Sequence, residues 1–131
     1  MTVTQYSIYE IIDLVRQRPG MWIGEPSPDR LNLFLAGYCS AMEQVGLKDI
    51  ATPPFHGFHD WVAERFGFAE STAGWPNMIL AVTLGLDPAT VLWGYADGSK
   101  QFDAHATRQQ KEDATRECFE LLDEYRKGVA P

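Results

Sequence analysis

Basic side chains are scarce in this sequence: 11 lysines and arginines stand against 18 aspartates and glutamates, a formal net charge of -7. A protein that grips nucleic acid needs cations to neutralise phosphates, so this balance argues against a DNA- or RNA-binding role. Long apolar runs are missing too; none approaches the roughly 18 residues that mark a membrane span. The opening MTVTQYSIYEIID has no basic segment and turns acidic early, unlike a secretory signal. Cysteine is reduced to Cys39 and Cys118, each inside an apolar helical pattern. Without an export signal they read as reduced, buried thiols of a cytoplasmic protein, not as a disulfide. The chain also lacks an HExxH motif and a paired-cysteine motif, the strong signatures of zinc. No internal repeat, low-complexity tract or sustained two-residue alternation is visible.

What remains is ordinary globular composition, 45% hydrophobic and 22% charged in 131 residues, enough for one core. The recurring pattern is a cap, a proline, an apolar stripe and a glycine. Ser7 and Glu10 form a capping-box pattern before Ile8, Ile11, Ile12 and Val15, and the helix must stop before Pro19. Ser27-Pro28 supplies a cap and a first-turn proline for a second helix, with the stripe Leu31, Phe34, Leu35, Tyr38, Met42, Val45 and a terminator at Gly46. A third helix is expected from about His56 to Phe66, closed by Gly67, and a fourth over WPNMILAVTLG. Asp87-Pro88 starts a short one through ATVLWGYA. The last runs from Thr107 to Lys127 with Ala114, Cys118, Leu121, Leu122 and Tyr125 inward. The expectation is a mainly α single domain spanning 1–131, with five to six helices and room for one short strand at Met21 to Ile23.

Two stretches invite a functional reading. In RQRPGMWIGEPSPDRL, Pro19-Gly20 suits the centre of a type II turn, after which Met21, Trp22 and Ile23 lie across the helices. That makes a packed corner, with Trp22 as the residue that would anchor a partner if it were exposed. In PPFHGFHDWVAERFGFAE, His56, His59 and Asp60 fall near one side of a helix start with Glu64 a turn beyond, a spacing that admits a zinc or iron ligand set. The competing structural reading has both histidines bonded locally, Asp60 favouring the helix dipole, and Trp61, Phe66, Phe68 and Trp75 serving as core.

RPGMWIG resembles the RPGMYIG phrase of GHKL ATPases, especially the ATPase subunit of type II DNA topoisomerases, over about residues 11–24. The resemblance implies nucleotide binding through Arg18 to Gly24, followed by a helix carrying a water-activating Glu and a magnesium-holding Asn. This chain departs from it: Gly37 stands at the Glu position and Ala41 at the Asn position, and Asp97-Gly98-Ser99 lacks the second glycine of the adenine loop. Over most of its length the chain also resembles a group of small bacterial proteins of unassigned function. They share an RPGM-aromatic-IG phrase (Arg18 to Gly24), an FHDWV (Phe58 to Val62), a GWxNMIL (Gly74 to Leu80) and an acidic last helix (Glu112 to Glu124). That resemblance brings no catalytic residues with it and associates such proteins with toxin or contact-dependent competition genes.

The leading expectation is therefore a non-enzymatic protein-binding module of immunity or antitoxin type, cytoplasmic and without a cofactor, that occludes a basic effector. Residues 49–97 hold six acids against Arg65 alone, a local net of -5, which favours a basic partner. The residues expected to meet it are Asp60, Glu64, Glu70 and Trp22, with Glu117, Glu120 and Glu124 of the last helix; Asp49, Glu112 and Asp113 extend the acidic surface. Along that helix Arg108, Lys111, Arg116, Arg126 and Lys127 are expected to neutralise part of it through i,i+4 pairs. The alternative is a small metal-dependent enzyme or ligand binder using His56, His59, Asp60 and Glu64.

Overall fold

The computed structural model describes residues 3–91 and 106–131. Within them the chain is mainly α, as the sequence pattern requires. The order is β1 (Gln5–Tyr6), α1 (Ile8–Gln17), α2 (Pro19–Ile23), α3 (Pro28–Gln44), β2 (Lys48–Asp49), a 3-10 turn (Phe55–Gly57), α4 (Phe58–Phe66), α5 (Trp75–Thr83) and α6 (Arg108–Arg126). Among the described residues no helix is long and apolar enough to cross a membrane.

Ile8, Tyr9, Ile11, Ile12 and Val15 bury the inner face of α1. Ser7 caps it, accepting from the Tyr9 N–H. The second side-chain acceptor at this helix start is not Glu10 but Asp49, which takes the Ile8 N–H at 3.3 Å from 41 residues away. Asp49 is brought there by a parallel pairing of β1 with β2, Gln5 opposite Lys48 and Tyr6 opposite Asp49. Two-residue strands leave no alternation to read.

The corner after α1 differs from the expected type II turn and strand. Pro19 to Ile23 is a short helix. Arg18, at φ -145° and ψ 69°, stays out of the helical region, which a residue before proline avoids. Pro19 then takes the first helical position, where its fixed φ fits and its missing N–H costs nothing. Ile23 is buried, whereas Met21 is 65% exposed. Gly24 ends the helix at φ +71°, a conformation that a side chain resists and that releases the chain towards Ser27. The Ser27 hydroxyl accepts from the Arg30 N–H at 3.0 Å, and Leu31 and Leu35 carry α3 into the core. Val45 lies past the end of the helix and is exposed, so the expected stripe stops short of it.

Every residue of α5 from Trp75 to Ala81 is buried. A helix apolar all round belongs at the centre, and α5 packs against α3, α4 and α6. The expected α6 is present, capped by a reciprocal Thr107–Gln110 box, with all five predicted inner residues buried and Thr115 and Phe119 beside them. The tryptophans of the central stretch are core: Phe58 lies 5.4 Å from Trp75, 6.1 Å from Trp61 and 5.6 Å from Tyr125, ring centre to ring centre. Asp87 to Val91 forms a turn, in which the Val91 N–H reaches the Asp87 carbonyl at 2.9 Å. The remainder of the short helix expected there lies outside the described residues, as do Asp97-Gly98-Ser99 and His105.

Candidate functional site

Asp113, Glu117, Glu120 and Glu124 recur along α6 at spacings of three and four residues and so share a flank of the helix. What becomes of their charge depends on the neighbouring bases. Arg65 of α4 binds Glu124 at 2.9 Å, and Arg116 binds Asp113 at 3.1 Å. Arg108 makes the expected i,i+4 pair with Glu112 at 3.3 Å. Arg126, however, turns to Asp13 of α1 at 2.5 Å, and Asp123 is held by Arg16. Arg126 and, from the other side, Arg16 thus fasten the C-terminal end of α6 to α1. Among the described residues no ion pair joins Glu117 or Glu120 to a base.

These two carboxylates line a groove of about 360 Å³ with Asp113, Arg116, Val82 and Thr83. The groove lies where the end of α5 meets α6. Partial burial pushes the Glu117 carboxyl above its ordinary value; the charge and hydrogen bond of Glu120 and the charge of Glu124 push the same way, against Arg65. The site therefore concentrates negative charge beside an apolar wall.

The other acids expected at an interface are placed differently. Asp60 stands exposed in the first turn of α4, where the helix dipole favours it, and Glu64 is exposed one turn later. Glu70 is exposed and accepts from the Thr72 hydroxyl at 2.8 Å. Asp49 is drawn inward: one carboxylate oxygen takes both the Ile8 and Ala51 N–H groups. It is a structural cap, not an open contact. Trp22 is half-buried, edge-on to Phe34 at 5.9 Å between ring centres, which favours the packed-corner reading.

His56 is exposed in the 3-10 turn and His59 half-buried at the start of α4. Among the described residues no three His, Cys, Asp or Glu side chains are gathered as a metal would need, so His56, His59, Asp60 and Glu64 are not brought together as a ligand set. His56 instead lines a pocket of about 410 Å³ with Tyr6, Cys39, Glu43 and Asp49. Cys39 is half-buried, not fully buried as expected, whereas Cys118 is buried; both are free. Burial, with Asp49 and Glu43 behind it, pushes the Cys39 thiol up despite an opposing contact from Tyr6. A thiol held protonated is a poor nucleophile.

A further recess, of about 500 Å³, escaped the sequence reading. Its walls are Arg16, Pro19, Gly20 and Gly24 from the corner, facing Arg108, Arg116 and Phe119 of α6. The spacing of Arg108 and Arg116, two turns apart on one flank, was a usable signal. The partnership with Arg16 was not, since it depends on how α1 docks. Comparison with protein-family profiles, curated proteins and solved structures finds no match to this chain.

Proposed function

We propose that this is a cytoplasmic binding protein of immunity or antitoxin type, whose acidic groove on α6 receives basic side chains of an effector. The observation that carries the reading is the groove between α5 and α6, where Glu117 and Glu120 stand together beside Val82 and Thr83 and, among the described residues, are joined to a base by no ion pair, Arg116 of the same groove being bound to Asp113. A lysine or arginine entering it would lay its aliphatic stem on the apolar wall and place its charge between carboxylates. Crowding of like charges disfavours the free state and is relieved by the partner, so selectivity for a basic surface follows. Asp60, Glu64 and Glu70 add exposed negative charge that would steer encounter, and Trp22 offers a half-covered ring beside Phe34 of α3.

The test is affinity capture at low salt from a lysate of the organism that encodes the chain, with wild type and Glu117→Gln/Glu120→Gln as parallel baits. The expected result is a basic protein retained by wild type, released by moderate salt and absent from the double variant. Identical capture on both baits, or no basic protein on either, overturns the assignment.

A further inference from the structure

We propose that the recess between the Pro19–Gly24 corner and α6 binds a small organic oxyanion, a phosphate monoester or dicarboxylate carrying an apolar or aromatic body. The lining joins two features that a ligand of this class requires. Three guanidinium groups, those of Arg16, Arg108 and Arg116, border one cavity, where Glu112 is the one lining carboxylate among the described residues. In a chain whose net charge is -7, three guanidinium groups gathered on one cavity are a local concentration of cations, each balanced by one carboxylate.

Each of these arginines has a carboxylate partner, and each partnership leaves donors over. Arg16 uses Nη1 on Asp123, Arg108 uses Nε on Glu112, and Arg116 uses Nη1 on Asp113. A guanidinium carries a fork of N–H donors, most of which remain after one such bond. The carboxylates hold the forks in place, and the remaining donors match the planar or tetrahedral oxygens of an oxyanion. The side chains of Arg108 and Arg116 are 72% and 62% exposed, open to an incoming anion.

Apolar surface completes the recess. Phe119 lies in the wall with the Arg16 guanidinium 5.9 Å from its ring centre, and Pro19 and Pro26 line the cavity with it. A bare inorganic ion would leave this surface unused. A volume of about 500 Å³ falls within the usual range for small-molecule sites. A nucleic acid or an anionic membrane would meet repulsion on leaving the recess, because Asp113, Glu117 and Glu120 line the adjoining groove, of which Arg116 is also a wall.

The test is an NMR titration of the full chain with phenyl phosphate and with phthalate, using phenol as the neutral control. We expect saturable shifts at the Gly20 and Gly24 amides with at least one anion and none with phenol; the tighter of the two identifies the oxyanion preferred. Arg108→Gln and Arg116→Gln should each weaken binding about tenfold, the loss of one charge-assisted contact. Arg16 is left intact because it ties α1 to α6. Absence of saturable shifts with both anions, equal binding of phenol, or affinity unchanged in Arg108→Gln/Arg116→Gln overturns the proposal.

Discussion

Tyr9 and Tyr125, from α1 and α6, donate their hydroxyls to consecutive carbonyls, those of Pro53 and Pro54. Two helices far apart in sequence thereby hold one loop at adjacent points. Arg126 strengthens the junction: its guanidinium lies 4.6 Å from the centre of the Tyr9 ring while it pairs with Asp13. Removing either hydroxyl leaves a carbonyl short of its donor. Tyr9→Phe and Tyr125→Phe should each cost about 1–2 kcal/mol, read as a lower urea midpoint. Unchanged midpoints in both would show that water replaces the phenols without loss.

Gly57 sits against the same junction. A Cβ at this position would collide with the Tyr125 hydroxyl, although the backbone there is ordinary helical geometry. Gly57→Ala should therefore drive Tyr125 from Pro54 and destabilise the fold by about 1–3 kcal/mol, the usual cost of overpacking. Combining it with Tyr125→Phe should cost less than the sum, because both changes break one contact. Strict additivity in the double-mutant cycle would refute this.

Ionisation of the phenols should weaken the fold in alkali. Burial, aided by the neighbouring Tyr125, pushes the Tyr9 phenol from its ordinary 10 up to about 12. The folded state favours the protonated form, so the stability contributed by Tyr9 is complete below pH 10 and is lost as pH climbs towards 12. Tyr6 and Tyr125 shift upward as well, chiefly through burial. Ultraviolet titration should show these tyrosines ionising only at high pH, together with loss of helical signal. Tyr9→Phe should flatten the stability profile in that window.

Acid acts in the opposite sense at the α6 groove. Glu117 has its carboxyl raised above the ordinary 4.5 by burial and then by Glu120 and Glu124. Its folded state prefers the proton, so this group favours folding below 4.5 and withdraws that support as pH rises through the shifted value. Glu117→Gln should be more stable than wild type at neutral pH by about 0.2–0.5 kcal/mol, the range for like-charge neighbours on a helix. The gap should close on acidification. A variant less stable than wild type at neutral pH would mean that the carboxylate is satisfied in place.

Local signals carried most of the helices. Ser27-Pro28 and Thr107 announced helix starts, and Gly46, Gly67 and Gly128 follow helix ends with positive φ. Three things depended on distant partners and were hidden. Asp49 looked like one more surface acid, yet it caps α1 across 41 residues. Pro19 read as a turn because its corner is too short for helical periodicity to show. The fate of the α6 charges was decided partly on other helices: Asp13 takes Arg126, Arg16 takes Asp123 and Arg65 takes Glu124, while Arg116 chooses Asp113 over Glu120. The acidic residues of the candidate site were legible; which of them remain without a base was not.

The burial of α5 on every side has a further consequence for the chain before it folds. WPNMILAVTL contains no charged residue and only two polar side chains, Asn77 and Thr83, and natively all but its last turn is out of contact with water. The segment best protected in the finished molecule is thus the most adhesive in the nascent one. Any slowing of assembly by α3, α4 or α6 prolongs the interval in which two unfinished chains can stick through residues 75–84.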